Sequence, residues 1–178
     1  MLRLATVVLW TIVTAQAGVG VADSRAAEPY SIAVLDFELI DDTAAQGGPS
    51  DVAGQEKRLG LIGAELRAQL AGQGLYRLLD NAPAAELIGK LKSAQPLYAC
   101  NGCEIDIGRQ LGADRVLVGW VQKVSNLILN LNVGVKDVRS GATVMIKSVD
   151  IRGNSDDSWL RAVRYLVRDI AEKKLNER

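Results

Sequence analysis

One stretch of strict alternation constrains the fold of this chain more than any other feature. Every second position is apolar, at Leu127, Leu129, Leu131, Val133 and Val135. The positions between them are Ile128, Asn130, Asn132, Gly134 and Lys136. A period of two directs successive side chains to opposite faces of a β-strand. The pattern therefore predicts a strand with one face in the core and a mostly polar opposite face.

Two further strands flank this one. Residues 116–124 are almost entirely apolar, which is typical of a central strand that is buried on both faces. Gly119 within this run indicates a bulge or a close approach of another group. Residues 143–151 form the third apolar run, after a turn over 138–141. These short connections predict three consecutive antiparallel strands.

The first half of the chain combines short apolar runs with a helical pattern. Residues 31–37 and 75–79 are apolar runs of strand length. Between them, a helix is predicted to begin near Gln55 and to end at Gly72 and Gly74. Its apolar stripe recurs every three or four positions and consists of Leu59, Ile62, Leu66 and Leu70.

Three more helices are expected. The first follows Asn81 as its N-cap, has Pro83 in its first turn and ends near Lys92. The second spans residues 103–111. The last follows Ser155 as its N-cap and carries an apolar stripe made of Trp159, Val163, Leu166 and Ile170.

The order of these elements predicts the fold class. Strands joined by helical crossovers favour parallel pairing, whereas strands joined by short turns favour antiparallel pairing. We therefore expect an α+β (mixed α/β) fold, with a single mixed β-sheet of about five strands and helices packed on it. We expect one domain over residues 30–175, which is an ordinary domain length.

The start of the chain has the features of an export signal. Arg3 precedes an apolar run over residues 4–13, and Ala15-Gln16-Ala17 provides a small-x-small cleavage site. The run is shorter than the about 20 residues of a membrane span. The expected segments are a signal peptide over 1–17, with residue 27 as the latest alternative cleavage position, and a flexible leader over 18–29. We therefore expect a periplasmic protein.

Composition argues against several functions. Lysine plus arginine and aspartate plus glutamate both number 21, so no net charge attracts nucleic acid or anionic lipid, and no run of basic residues indicates a local patch. The aromatic content of 4% argues against a stacking platform. No cysteine lies near the cleavage positions, so we expect no lipid anchor, and no later stretch predicts a transmembrane segment. No cofactor is predicted.

Cys100 and Cys103, separated by Asn-Gly, are the most chemically distinctive motif. Their spacing allows a local disulfide, a redox-active pair, or thiols that are unpaired or linked to a partner. Because oxidation is the default in the periplasm, we predict a structural disulfide, with redox activity as the alternative. A zinc site usually needs four ligands, and the chain offers two cysteines and no histidine.

A second candidate site is acidic. Asp36, Glu38, Asp41 and Asp42 cluster at the end of the first predicted strand, where carboxylates can bind a metal or act as acid and base. A solvated strand end is the more ordinary interpretation, because loops are usually polar and exposed. Residues 41–54 lack periodicity and are predicted to form a long surface loop.

Four segments together resemble a known module. They are Ser31-Ile-Ala-Val-Leu-Asp-Phe37, Tyr76-Arg-Leu-Leu-Asp80, Ile107-Gly-Arg-Gln-Leu-Gly-Ala-Asp114 leading into Val116-Leu-Val-Gly119, and Asp137-Val-Arg-Ser-Gly141. This pattern resembles the TolB amino-terminal-domain or CsgG-like module. It resembles more closely an uncharacterised family of predicted periplasmic bacterial proteins with that module alone. The resemblance covers roughly residues 30–175, and its motifs specify architecture rather than catalysis.

The resemblance implies the fold and a binding role. Relatives of this fold act in secretion pores, in the activation of cell-wall synthases and in the assembly of the Tol system. CsgG and the synthase activators are lipoproteins, whereas this sequence lacks the lipid-bearing cysteine. It also lacks the β-propeller that follows the module in TolB.

The leading functional hypothesis is an exported, periplasmic, non-enzymatic accessory or adaptor protein that binds a cell-envelope protein partner. An exposed apolar or edge-strand patch beside the 41–54 loop would support it. The alternative is a periplasmic thiol-redox protein that uses Cys100 and Cys103. A small-ligand cleft at the strand ends is a third hypothesis, for which the sequence indicates no substrate. The oligomeric state is not predicted.

Overall fold

One mixed β-sheet forms the centre of the computed structural model, which describes residues 28–45 and 51–176. Its strands are β1 (Ser31–Val34), β2 (Glu38–Asp41), β3 (Arg77–Leu78), β4 (Arg115–Lys123), β5 (Ile128–Asp137) and β6 (Thr143–Arg152). The order is β3-β1-β4-β5-β6, and β2 pairs with β4 beyond the end of β1. The pairs that involve β1 or β2 are parallel, whereas β4, β5 and β6 are antiparallel. The sheet confirms the predicted fold class, with six strands in place of about five.

The sixth strand, β2, lies beyond the predicted strand over 31–37. β1 pairs with β4 up to Val34 and Leu117, and β2 resumes the pairing at Glu38 and Trp120. Between these pairs, three residues (35–37) lie opposite only two residues of β4 (118–119), so the chain between β1 and β2 forms a bulge. The predicted strand over 31–37 is therefore too long, because β1 ends at Val34 and the next strand, β2, begins only at Glu38, beyond the predicted end.

Five helices accompany the sheet in the described residues: α1 (Asp42–Ala45), α2 (Val52–Gly72), α3 (Ala85–Ala94), α4 (Cys103–Gln110) and α5 (Asp156–Asn176). The last four confirm the predicted helices. The prediction of a loop over 41–54 is wrong for both of its described ends. β2 and α1 occupy its start, and the first residues of α2 occupy its end. Asp51 explains the early start of α2, since its Oδ1 accepts a hydrogen bond from the N–H of Gly54 at 3.0 Å.

One of the two predicted N-caps is confirmed. Oγ of Ser155 accepts a hydrogen bond from the N–H of Ser158 at 3.3 Å, so Ser155 caps α5. Asn81 takes the predicted N-cap position before a 3₁₀ turn over Ala82–Ala84, but its side chain makes no cap bond, because Nδ2 of Asn81 donates to the carbonyl of Val34 at 2.7 Å. Asn81 thus ties a short 3₁₀ turn to the end of β1, a partner that its local sequence does not indicate.

Helices cover the two faces of the sheet unequally. α2 and α5 pack on the first face, where they enclose a core that includes Ile62, Leu131 and Trp159. α3 and α4 contribute to a second core on the opposite face, which includes Ile107 and Val116. That second core reaches β1 and the first half of β4. The second face of β5 and β6 therefore carries polar and exposed side chains.

Asp114 joins the starts of the parallel strands β1 and β4. Its Oδ2 accepts hydrogen bonds from Oγ and N–H of Ser31, at 2.7 and 2.8 Å, and its own N–H donates to Oγ of Ser31 at 2.9 Å. The hydroxyl and then the amide of Ser31 hold the pKa of Asp114 below its usual value. Because the folded-state pKa is the lower one, the stabilisation is present above the unfolded pKa of about 3.9 and is lost as pH falls through the folded pKa.

We expect Asp114→Asn to lower the free energy of unfolding by about 1 kcal/mol at pH 7, a small effect because the carboxylate is partly exposed. The difference from the unmodified protein should shrink as pH falls below about 4. Urea denaturation at pH 7 and pH 3 measures both effects. Asp106→Asn, at an exposed ion pair on α4, is the control and should change stability by less than about 0.5 kcal/mol. If the difference in the free energy of unfolding between the two proteins grows at low pH, the lowered pKa of Asp114 is contradicted.

Candidate functional site

Cys100 and Cys103 flank a tight turn that leads into α4. Their Cα atoms are 5.8 Å apart, a separation that disulfides take, and their Sγ atoms lie within bonding distance of each other. Gly102 between them has a φ of +106°, which favours glycine. The N–H of Cys103 donates to Sγ of Cys100 at 3.1 Å. The Asn-Gly spacer thus allows the cysteines to meet, and their covalent pairing remains a prediction.

A buried ion pair lies directly beside the sulfur atoms. Glu104 is only 2% exposed, and its Oε2 lies 3.3 Å from Sγ of Cys100. Lys136 on β5 donates from Nζ to Oε1 of this carboxylate, and the N–H of Gly102 donates to Oε2 at 3.2 Å. The pair ties the start of α4 to β5. The sequence alone does not indicate this pair, because Lys136 is 32 residues from Glu104 and only the fold brings the two side chains together.

The surroundings of the sulfur atoms favour a structural role over a redox role. Cys100 and Cys103 are both buried, whereas reactive thiols need access to solvent or a partner. The carboxylate of Glu104 also opposes a negatively charged thiolate, on which thiol exchange depends. In the described part of the chain, Cys100, Cys103 and Glu104 form the one group of three or more side chains that could together bind a metal ion. In reduced form they would supply three of the four ligands that zinc usually takes.

The acidic residues at the end of the first predicted strand do not converge on one site. Each contacts a different group: Arg67 for Asp36, the backbone N–H of Tyr98 for Glu38, Lys123 for Asp41 and Gln122 for Asp42. The most buried of these contacts joins Nζ of Lys123 to Oδ2 of Asp41 at 3.0 Å. The four carboxylates therefore hold the bulge, β2 and α1 in place through separate contacts, instead of forming one shared site.

Tyr98 and Trp120 form an aromatic pair that the sequence analysis did not find. Their ring centroids are 5.5 Å apart and the rings are stacked at 26°. Tyr98 lies in a 3₁₀ turn just before Cys100, and its backbone is held by Glu38 at 3.0 Å. Trp120 is half-buried on β4. Low aromatic content gave no signal of the pair, because the contact depends on packing between the turn and the sheet.

Next to this pair, none of the described helices covers the second face of the sheet. The strand register places Trp120, Asn132 and Ser148 side by side across β4, β5 and β6, with Gly134 and Ile146 in the adjacent row. We call these five residues the open face. Ile146 is 69% exposed there. An exposed branched apolar side chain on a sheet is a suitable contact for another protein.

β6 is also a sheet edge. It has ten residues and pairs with β5, and none of the described strands pairs with its other side. A long unpaired edge can accept a strand from another chain. The patch lies away from the predicted 41–54 segment, since β2 contacts the opposite side of β4. The described residues thus offer an edge-strand patch, but at β6 and not beside the 41–54 segment, where it would have supported the adaptor hypothesis directly.

Solved structures from bacteria share this fold. Lipoprotein GNA1162 from Neisseria meningitidis is 24% identical with a TM-score of 0.50, over 80% of this chain and 97% of that chain. LpoB of E. coli is 18% identical with a TM-score of 0.50, over 71% of this chain and 59% of that chain. TolB from Acinetobacter baumannii is 10% identical over 78% of this chain and 28% of that chain, but its TM-score of 0.40 is too low to show a shared fold.

At these identities the likeness shows the fold alone, so the chain is defined first as a mixed α/β domain of the GNA1162 and LpoB type. The chain belongs to the family described as "Protein of unknown function (DUF2380)", which matches residues 30–170. No curated protein matches it.

Family membership confirms the predicted placement in an uncharacterised family, whereas the more specific TolB or CsgG assignment remains a prediction. The signal peptide over 1–17 lies outside the described residues, as does most of the 18–29 leader. The absence of a lipid anchor remains a prediction. None of the helices in residues 28–45 and 51–176 combines the length and hydrophobicity needed to cross a bilayer.

Proposed function

We propose that the protein is an exported, periplasmic, non-enzymatic accessory protein that binds a protein partner in the cell envelope. The observation that carries this proposal is the ten-residue strand β6, which pairs with β5 alone among the described strands and bears exposed Val144 and Ile146. An edge of this length is a hazard for a protein that has no use for it. A partner that covers the edge and the open face would remove the hazard.

Site-specific photo-crosslinking tests this proposal. A benzoylphenylalanine placed at Val144 on β6 should crosslink one major envelope protein in living cells, whereas the same probe at exposed Lys90 on α3 should not. Adding Ile146→Asp should reduce the Val144 crosslink by about tenfold, because a charge is placed in an apolar contact. Ile146→Asp should leave the free energy of unfolding within about 0.5 kcal/mol, since this side chain is mostly exposed. Equal crosslinking from Val144 and Lys90 would count against the proposal.

We propose further that Cys100 and Cys103 form a structural disulfide, in preference to a redox-active pair. Replacing both by serine should lower the free energy of unfolding by about 2 kcal/mol, because the bridge closes a very short loop. The Val144 crosslink should persist in this variant. Thiol trapping across a glutathione series should give a reduction potential below about −300 mV. A pair that exchanges readily, near about −120 to −230 mV, would instead establish thiol chemistry as the function.

A further inference from the structure

The outer edge of β6 presents a defined set of backbone groups. The N–H of Gly153, just after β6, donates to the carbonyl of Leu127 at 3.1 Å. Leu127 directly precedes β5, so the backbone N–H of Gly153 points toward β5 and not toward the outer edge. Backbone direction alternates along an antiparallel strand. Ser148 and Asp150 therefore direct their N–H and C=O groups away from β5. The N–H of Val124 donates to the carbonyl of Ile128, and this bond on the other side of β5 fits the same alternation.

A groove of about 890 Å³ runs along this edge, between β6 and α5. We call it the edge groove, and it is lined by residues 148–152 of β6 and by the outer flank of α5. Its lining carries Arg152, Arg161, Arg164 and Arg168. Asp150 pairs with Arg152 and the neighbouring Asp157 with Arg161 and Arg164, so four arginines face two carboxylates. The whole chain has equal numbers of basic and acidic residues, so this groove concentrates positive charge locally.

The arginines of the edge groove keep donors available for a ligand. Arg161 and Arg164 share the carboxylate of Asp157, at 3.2 and 3.9 Å, and both side chains are about half exposed or more. Arg168 lies over the ring of Tyr165, 5.0 Å from its centroid, and Tyr165 is 53% exposed. A guanidinium group has five donors in a planar fork that suits carboxylates. The groove thus offers an apolar ring surrounded by carboxylate-binding groups.

We propose that the edge groove receives an extended acidic peptide segment of a partner protein, which adds to β6 as a seventh strand. The inference rests on the proposed function and names the chemistry of the partner. Backbone groups of the peptide pair with those of Ser148 and Asp150, and its acidic side chains face the arginines of α5. The unpaired backbone favours a polypeptide over other polyanions, since a phosphate polymer has no strand of amides to offer.

Selection of a phage-displayed random decapeptide library on the purified full chain tests the charge requirement. Enriched peptides should carry a net negative charge, and a synthetic copy should bind at least tenfold more weakly to the Arg161→Glu/Arg168→Glu double variant. The control is Lys90→Glu/Lys92→Glu, the same charge reversal on α3, which should bind as the unmodified protein does. Failure to enrich acidic peptides, or equal binding by both double variants, would overturn the inference.

A proline tests the strand addition separately from charge. Ser148→Pro removes the outward N–H without removing a bond to β5, so the fold should persist and peptide binding should fall at least tenfold. Ser148→Ala retains the N–H and should bind normally. If Ser148→Pro unfolds, the arginine variants still decide the question. If a single-stranded oligonucleotide competes fully and Ser148→Pro binds normally, the groove is a general anion surface and the inference fails.

The two proposals fail in different ways. If the probe at Val144 gives no crosslink in the otherwise unmodified protein, then no partner binds at β6 and the proposed function is overturned. A Val144 crosslink that is unchanged in the Arg161→Glu/Arg168→Glu variant would leave the proposed function standing and overturn only the acidic peptide in the edge groove.

Discussion

Trp159→Ala should lower the free energy of unfolding by about 3–5 kcal/mol, a large part of the stability of a domain of this size. Trp159 is fully buried in the core between α5 and the sheet. Its Nε1 donates to Oδ1 of Asn154 at 3.0 Å, so the ring also holds the loop before α5. Alanine would leave a cavity and an unpaired amide. Urea denaturation followed by far-UV circular dichroism measures the loss independently of tryptophan fluorescence.

Tyr165→Ala provides the matched control on the same helix. Tyr165 is about half exposed, and its ring contacts Arg168 outside the core. We expect this change to cost less than about 1 kcal/mol. If Trp159→Ala costs no more than Tyr165→Ala, then α5 does not pack on the sheet as described.

Gly119→Ala should lower the free energy of unfolding by about 2–3 kcal/mol, although it adds a single methyl group. A Cβ at this position would lie 2.2 Å from Cε1 of Phe37, and two other ring atoms are within 2.7 Å. The ring of Phe37 is buried in the first core and cannot swing into solvent. The bulge between β1 and β2 places this ring across Gly119, which confirms the predicted close approach at that glycine. Urea denaturation gives the magnitude.

Two further variants separate overpacking from a general effect of removing glycine. Gly134→Ala, on the neighbouring strand β5, should cost less than about 1 kcal/mol, because its Cβ would meet Val118 at an ordinary 3.7 Å. Combining Gly119→Ala with Phe37→Leu should cost less than the sum of the two single changes, since the smaller side chain relieves the clash. Additive losses would show that Phe37 is not the obstacle.

The sequence was informative about the candidate site only where the chemistry is local. Cys100 and Cys103 could be singled out because Asn-Gly allows a tight turn between them, and the turn has the positive φ that glycine permits. The ion pair of Glu104 and Lys136 and the stacking of Tyr98 on Trp120 could not be predicted. Each joins segments that are far apart in the chain, and neither partner carries a pattern that indicates the other.

The edge groove shows the same division. The spacing of Arg161, Arg164 and Arg168 places them on one flank of α5, and a helical pattern can reveal that. No basic run in the sequence indicates a local patch, although the sequence leaves one possible. Arg152 comes from β6, so the patch forms only where the strand and the helix lie side by side.

The sequence by itself determined the elements: the period-2 strand, the apolar central strand, four of the helices and a mixed sheet. These follow from periodicity and capping, which act between residues close in the chain. Tertiary structure decided the bulge that divides β1 from β2, the partner of Asn81, the uncovered face of β5 and β6 and the charge of the edge groove. These depend on which side chains meet across the sheet, and such contacts leave no periodic trace in the sequence.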